Sequence, residues 1–201
     1  VGMGGALAGA FASAREVFDE VDEALGQSLF MLMREGPEDQ LTLTENAQPA
    51  LMAVSVAVAR VLKVEFGIDV SKAGYVAGHS LGEYSAHCAA GTFSLADTAR
   101  LLRIRGNAMQ AAVPVGEGAM AALLGLGLED AGAAAEAAGE IGVCAIANDN
   151  AVGQVVISGA AVGFMPRARP PASPQSRARA VPRRSESGAR PPDRSPAPVR
   201  S

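Results

Sequence analysis

The sequence predicts an α/β protein, and two patterns carry that prediction. A short apolar run at residues 75–77 leads into Ser80 and then into a helix of small residues, which is typical of a buried strand, a turn and a helix. Further along, segments of strand, helix, strand and strand character follow one another over residues 119–158. Hydrophobic residues make up 49% of the chain while aromatic residues make up 4%, so the core is expected to be aliphatic.

Two helices are predicted before the apolar run. Apolar residues from Phe11 to Leu25 recur at helical spacing with charged residues between them, which indicates an amphipathic surface helix. Pro49 is expected to open a second helix over residues 51–64, because proline is favoured at the first helical position. That segment is apolar almost all round, so we expect it to be buried.

Residues 78–82 (Gly-His-Ser-Leu-Gly) match a G-x-S-x-G pattern. Placed between a strand and a helix, this pattern predicts a nucleophile elbow, a strained turn that exposes the hydroxyl of Ser80. Gly78 and Gly82 are expected to pass so close to neighbouring backbone that a side chain would clash. The helix after the turn points its N-terminus at the site, so the backbone N–H of Leu81 is the candidate oxyanion donor.

The next helix carries a second candidate. Ser94 opens it with capping-box spacing, and it is expected to extend over residues 95–109. At about 100° per residue, Arg105 falls on the apolar face, whereas Arg100 and Arg103 point elsewhere. A buried guanidinium is costly unless it meets an anion. Two interpretations stay open: a structural salt bridge to a core carboxylate, or a fork that binds a substrate carboxylate at two points.

The last structured segments predict a small sheet with one helix. The strands are expected at residues 119–126, 143–147 and 154–158, and the helix is expected at residues 129–138. Strand, helix, strand, strand is the opening part of a ferredoxin-like βαββαβ unit. We therefore expect an incomplete ferredoxin-like small subdomain over residues 117–162, in which residues 148–153 form a turn.

Near residue 163 the character of the sequence changes. Residues 166–201 contain nine of the twelve prolines and nine arginines, with two acidic residues and no Lys, although the whole chain has a net charge of −4. The low apolar content predicts disorder over residues 163–201. Two interpretations stay open: a genuine basic tail, or an out-of-frame translation of GC-rich DNA. The lack of Lys and of interleaved aromatics favours the second, and one uninterrupted frame on resequencing would contradict it.

Four separated motifs are similar to those of bacterial malonyl-CoA:acyl carrier protein transacylases and, less closely, to the acyltransferase domains of polyketide and fatty-acid synthases. The motifs lie at residues 78–84 (Gly-His-Ser-Leu-Gly-Glu-Tyr), 105–106 (Arg-Gly), 118–122 (Gly-Ala-Met-Ala-Ala) and 153–159 (Gly-Gln-Val-Val-Ile-Ser-Gly). They follow the family's order, and the likeness covers residues 1–162. The resemblance implies a hydrolase-like parallel-sheet subdomain with the nucleophile elbow over residues 1–116, next to the small subdomain.

The resemblance also implies roles for the candidate residues. Ser80 would take malonyl from coenzyme A as an ester and pass it to the phosphopantetheine thiol of acyl carrier protein. Leu81 would supply an oxyanion N–H, and Arg105 would pair with the free carboxylate of malonate. Gln48 and Asn150 would be active-site neighbours, Asn150 in a turn resembling the family's Asn-rich loop, although Val152 stands where the family usually has proline.

The chain departs from the family in its catalytic base and at its two ends. His79 and His87 are the only histidines, and both are expected to be structural, because adjacent side chains diverge at a tight elbow and His87 lies about two turns further on. The family's catalytic histidine comes from a later segment and is absent here, and the family's Gly-rich turn with the second oxyanion donor would precede Val1. We expect a fragment, incomplete at its N-terminus, that folds poorly and transfers malonyl negligibly.

The expected partners are malonyl-CoA and acyl carrier protein, with no metal or redox cofactor, no nucleic acid and no membrane. The intact family member would be a monomer. A cytoplasmic location is expected because no signal peptide is evident and the longest apolar stretch, residues 50–59, is far shorter than the roughly 20 residues of a membrane span. Two functional rivals stay open: a serine esterase or thioesterase on the same elbow, which would not need Arg105, and a non-catalytic fragment that binds the carrier protein or coenzyme A without turnover. The last alternative is a broken gene product with no function.

Overall fold

The computed structural model describes residues 1–114 and 116–164, in which a group of helices is followed by a small sheet with one helix. The helices are α1 (Gly5–Ala10), α2 (Ala12–Leu25), α3 (Leu29–Glu35), α4 (Glu38–Thr42), α5 (Thr44–Phe66), α6 (Gly82–Ala89), α7 (Leu95–Ala112) and α8 (Leu128–Gly139). The strands are β1 (Gly118–Leu124), β2 (Cys144–Ala151) and β3 (Gln154–Ala160), and short 3₁₀ turns occur at Val70–Lys72 and Ala161–Phe164.

The helical core joins α2, α5 and α7. Val17, Phe18 and Val21 of α2 are at most 1% exposed, which confirms the predicted amphipathic helix. Met52 of α5 and Leu102 of α7 are fully buried in the same cluster. Because burial of such side chains is the main favourable term in folding, this cluster holds α5 and α7 side by side and fixes the residues that both helices carry.

Helix α5 corrects the prediction for Pro49. The helix begins at Thr44, so Pro49 lies inside it and does not open it. Proline removes a backbone donor from a helix interior, but here tertiary contacts outweigh that loss. The first turn is closed by the amides of Asn46 and Ala47, which both donate to the Leu43 carbonyl at 2.9 and 2.8 Å, and Asn46 and Gln48 are themselves buried.

The expected burial of residues 51–64 is only half correct. Met52, Ala53 and Ala57 are buried, but Leu51 is 45% exposed and Val64 is 59% exposed. The helix therefore has one buried face and one exposed apolar face within the described residues. An even apolar composition could not show which face packs.

No parallel strand pairing occurs in residues 1–114 and 116–164, so the parallel-sheet subdomain stays a prediction that these residues do not show by themselves. Residues 75–77, expected to be a buried strand, have no regular secondary structure, and Tyr75 is 97% exposed. A strand needs neighbours for its backbone N–H and C=O groups, and no other described segment pairs with this one.

The small sheet is antiparallel, with strand order β1-β3-β2. Ala131 and Ala135 of α8 are buried, as are Val155 and Ile157 of β3, so the helix covers one face of the sheet. The turn between β2 and β3 is shorter than predicted, since only residues 152–153 separate the two strands. Strand β2 continues to Ala151, and its register shifts twice against β3, an irregularity that the sequence did not indicate.

The segment predicted to be disordered, residues 163–201, lies outside the described residues from residue 165 onward.

The length and apolar content of the helices were compared with those of a membrane-spanning helix. Within the described part of the chain, no helix is both long enough and apolar enough to cross a membrane.

Candidate active site

The backbone at Ser80 has the strain expected of a nucleophile elbow. Its φ is 55°, and it is the only non-glycine residue with positive φ in the described part of the chain. The turn is closed by the Gly82 amide, which donates to the His79 carbonyl at 2.9 Å, and by the Glu83 amide, which donates to the Ser80 carbonyl at 3.2 Å. A non-glycine residue in this region costs about 1–2 kcal/mol, so the surrounding turn must hold Ser80 in place.

Only one of the two flanking glycines is needed for a close approach. A Cβ at Gly78 would lie 2.0 Å from the carbonyl carbon and oxygen of Gly82 and 2.4 Å from the Glu83 nitrogen, which no side chain can tolerate. A Cβ at Gly82 would meet nothing within 4 Å. The prediction for Gly82 is therefore wrong among the described residues, because the turn folds the Gly82 carbonyl onto Gly78 while the Cα of Gly82 faces away.

The amide of Leu81 is placed as the oxyanion prediction requires. Helix α6 begins at Gly82, immediately after Leu81, so this amide stands at the positive end of the helix dipole. Among the described residues it donates to no backbone carbonyl. It can therefore donate to an oxygen that gains negative charge beside Ser80, although its role stays a prediction.

Arg105 reaches the nucleophile. Its Nη2 donates to Ser80 Oγ at 3.1 Å, its Nη1 donates to Gln48 Oε1, and its guanidinium carbon lies 6.0 Å from the centre of the Tyr84 ring. None of the salt bridges of the described residues involves Arg105. The structural salt bridge considered above is thus disfavoured, because the observed partners of this cation are neutral.

Gln48 is the residue whose side chain orients the guanidinium of Arg105. It is 4% exposed, on the first turns of α5. Its side-chain nitrogen donates to Thr44 Oγ1 at 2.7 Å and to Met109 Sδ at 3.3 Å, while its oxygen accepts from Arg105. The predicted neighbour of the serine is therefore connected to it through the guanidinium.

Gly106 is a site residue whose role sequence reasoning missed. A Cβ there would lie 2.5 Å from Glu45 Cα and 2.8 Å from the Thr44 carbonyl oxygen, so α7 touches the start of α5 backbone to backbone. This contact brings Arg105 within reach of Gln48. A glycine inside a helical pattern usually has a packing reason, and this was the available signal.

We expect Gly106→Ala to lower the free energy of unfolding by about 1–3 kcal/mol, because the added methyl group forces α7 away from α5. Urea unfolding would measure the change. Gly9→Ala is the matched control: Gly9 lies in α1, and a Cβ added there would meet nothing within 4 Å, so that variant should be neutral or slightly stabilising. Equal stability of the Gly106→Ala variant and the parent would contradict the close packing.

Arg103 corrects the helical-face argument. Arg100 is exposed and bonds Asp97, as expected, but Arg103 also points inward and is partly buried. It donates to Asn46 Oδ1 at 2.8 Å and to Gln27 Oε1. Burial lowers the pKa of its guanidinium from the ordinary value, with the charge of Glu45 acting in the opposite direction. A long side chain can reach around a helix, which a projection of Cα positions does not capture.

The remaining candidates make no hydrogen bond to Arg105 among the described residues. Asn150 belongs to β2 and not to a turn, which corrects the prediction, and its Oδ1 lies 3.0 Å from His79 Nε2. His87 packs against Phe93 with ring centres 5.1 Å apart. Among the hydrogen bonds of the described residues, neither histidine contacts Ser80, and their structural roles stay a prediction.

The elbow, the α6 N-terminus and the guanidinium at the serine hydroxyl form an arrangement that is typical of serine enzymes of acyl transfer. Residues 1–162 match the family model described as the acyl transferase domain. The chain belongs to this family. The sequence-based resemblance is thereby confirmed.

Named relatives make the family assignment more specific. The chain is 47% identical over 164 residues to the malonyl CoA-acyl carrier protein transacylase of Bacillus subtilis (strain 168), covering 81% of this chain and 50% of that protein. The crystal structure of acyl-carrier-protein-S-malonyltransferase from Bartonella henselae matches with 63% identity and a TM-score of 0.76, covering 81% of this chain and 52% of that one. A chain also matches in the structure described as a type II PKS acyl-carrier protein in complex with its malonyl-transacylase. The identity is 40% and the TM-score is 0.74, and the match covers 82% of this chain and 52% of that one.

The chain thus spans about half the length of the curated relatives that it matches. These matches confirm the α/β acyltransferase fold at the level of the family.

Proposed function

We propose that the chain carries the malonyl-accepting half of an [acyl-carrier-protein] S-malonyltransferase site, with Ser80 as nucleophile and Arg105 as the carboxylate-binding residue. The observation that carries the proposal is the hydrogen bond of 3.1 Å between Arg105 Nη2 and Ser80 Oγ. In a malonyl thioester, one methylene separates the free carboxylate from the reacting carbonyl. A carboxylate held by Arg105 would therefore bring the thioester carbonyl next to Ser80.

The reaction divides into two balanced steps. Ser80 Oγ attacks the thioester carbonyl carbon, the new O–C bond forms, the C–S bond breaks, and the departing coenzyme A thiolate takes up the proton that Ser80 gives up. The phosphopantetheine thiol of acyl carrier protein then attacks the seryl ester, the new C–S bond forms, the ester C–O bond breaks, and Ser80 Oγ takes up the proton that the thiol gives up. In both steps the Leu81 amide stabilises the negative oxygen, and no metal or redox cofactor is required.

The proton of Ser80 needs a base. Neither His79 nor His87 bonds Ser80 in the described residues, and the family resemblance assigns this role to a histidine from a later segment. Without such a base we expect the seryl ester to form slowly, over a prolonged incubation, and we expect transfer of malonyl to acyl carrier protein to be negligible for this chain. Robust turnover to acyl carrier protein by a sequence-verified sample would contradict that expectation.

The two rivals differ from the proposal in what they require of Arg105 and Ser80. A serine esterase or thioesterase acting on neutral acyl groups would gain nothing from a guanidinium at the nucleophile, so the observed contact favours a substrate with a carboxylate. A non-catalytic fragment that binds the carrier protein would not need Ser80. Undiminished carrier-protein binding by Ser80→Ala, together with a parent that forms no acyl ester, would favour this second rival.

The proposal also includes the arrangement of the subdomains, the oligomeric state and the partners of the protein. We infer a hydrolase-like parallel sheet in the complete family member, for which residues 75–77 supply a strand, and a ferredoxin-like subdomain that begins with β1, α8, β2 and β3. A monomeric state, a cytoplasmic location, and acyl carrier protein as partner with neither nucleic acid nor membrane stay predictions from the sequence.

Intact-protein mass spectrometry tests the proposal. The folded chain is incubated with malonyl-CoA or with acetyl-CoA, and the acyl adduct on Ser80 is followed over time and located by peptide mapping. We expect a malonyl adduct that forms faster than the acetyl adduct, because only malonyl offers Arg105 a carboxylate. A folded sample that forms no malonyl ester after prolonged incubation would contradict the proposal for this chain.

A further inference from the structure

The side-chain amide of Gln48 is hydrogen-bonded through both its oxygen and its nitrogen. Its oxygen accepts from Arg105 Nη1, and its nitrogen donates to Thr44 Oγ1 at 2.7 Å and to Met109 Sδ at 3.3 Å. The residue is 4% exposed, so bulk water does not replace these bonds. The placement of this amide therefore depends on the groups that bond its oxygen and its nitrogen.

The chemistry of the partners decides the orientation of the amide. A guanidinium only donates hydrogen bonds, so Gln48 must turn its oxygen toward Arg105 and its NH₂ group toward Thr44. A hydroxyl can accept from this NH₂ group or donate to an oxygen, so the donor-only guanidinium sets the orientation of the amide and not Thr44. Thr44 instead fixes the position of the oriented amide through its bond of 2.7 Å, whereas the thioether of Met109 is only a weak acceptor.

The positions of the residues on α5 agree with this role. Thr44 and Gln48 are four residues apart on one helix, so their side chains lie on the same face. Thr44 also supplies the carbonyl oxygen that Gly106 approaches, since a Cβ at Gly106 would lie 2.8 Å from it. The same residue therefore contacts α7 through its backbone and controls Gln48 through its hydroxyl.

We propose that Thr44 is a positioning residue for Arg105: its hydroxyl holds the Gln48 amide, and the amide holds the guanidinium at Ser80. The inference rests on the proposed function, because it assigns Thr44 to the selectivity of that site for acyl groups with a carboxylate. Thr44 does not touch the reacting atoms. It acts through Gln48, at two hydrogen bonds from the guanidinium.

The test compares Thr44→Val, which keeps the shape but loses the hydroxyl, with Thr44→Ser, which keeps the hydroxyl. Thr42→Val is the matched control, because Thr42 is exposed and its hydroxyl bonds only the Asp39 carbonyl. The rate of adduct formation on Ser80 is measured with malonyl-CoA and with acetyl-CoA. We expect Thr44→Val to slow malonyl labelling by about tenfold with little effect on acetyl labelling, and we expect Thr44→Ser and Thr42→Val to resemble the parent.

A second measurement does not depend on labelling. NMR exchange of the Gln48 side-chain NH₂ protons with water should be slow in the parent and in Thr44→Ser, and faster in Thr44→Val. If Arg105→Ala has the same malonyl-to-acetyl ratio as the parent, the proposed function fails, and the exchange rates alone decide the role of Thr44. If Arg105→Ala loses the ratio while Thr44→Val keeps it, or if Thr44→Val leaves the Gln48 exchange unchanged, the positioning role is wrong.

Discussion

Ser80→Ala is expected to abolish the malonyl adduct, with a loss of at least about a thousandfold in labelling rate, because removal of a nucleophile leaves only the background reaction. Alanine accepts the positive φ of 55° no better than serine, so the turn should keep its strain and the chain its stability. Ser55→Ala is the control, since Ser55 lies on α5 and its hydroxyl bonds only the Leu51 carbonyl. Labelling that persists at another residue of Ser80→Ala would contradict the assignment.

Ser80→Gly separates the chemical role of the residue from its conformational one. Glycine occupies positive φ without a Cβ penalty, so this variant should lose the adduct as completely as Ser80→Ala but gain about 1 kcal/mol in the free energy of unfolding. Urea unfolding of the three proteins would measure the gain. An elbow that stores no strain would leave the stability of Ser80→Gly equal to that of Ser80→Ala.

The local parts of this site could be predicted from the sequence. Gly78 and Ser80 belong to one tight turn, so the spacing of the pattern contains the geometry that the structure shows. The cap of α7 is also local: Ser94 Oγ accepts from the Asp97 amide at 3.0 Å, as its spacing predicted. Arg105 could be placed inward because helical periodicity is a property of neighbouring residues.

The contacts between elements could not be predicted in the same way. Thr44 and Gly106 matter only because α5 and α7 touch, and no pattern within either helix states which residues will meet. A strand forms only where another strand pairs with it, so the apolar character of residues 75–77 predicted a strand that the described residues do not form. Pro49 shows the same effect, because packing of the first turn of α5 overrides a local preference.

Arg105→Ala is expected to remove the preference for malonyl over acetyl. The guanidinium is partly buried and bonded to two neutral groups, Gln48 and Ser80, so a substrate carboxylate would gain a charge-assisted bond that an acetyl group cannot form. Loss of such a pair costs about 2–5 kcal/mol, which corresponds to a decrease of roughly thirtyfold to several thousandfold in malonyl labelling. The acetyl rate should stay close to that of the parent. Arg100→Ala is the control, because Arg100 bonds only the exposed Asp97.

Arg105→Lys decides whether charge or the two-point geometry matters. Lysine keeps the positive charge but carries it on a single nitrogen, so it cannot present the planar pair of donors that faces both Gln48 and the nucleophile. We expect it to recover only a small part of the malonyl rate. Full recovery would mean that a point charge near Ser80 suffices, and the orientation of the guanidinium by Gln48 would then have no part in selectivity.

A decrease of equal size in the malonyl and acetyl labelling rates of Arg105→Ala would contradict the selectivity role. Arg105 would then only stabilise the turn at Ser80, and the basis for a carboxylate-bearing substrate would be lost.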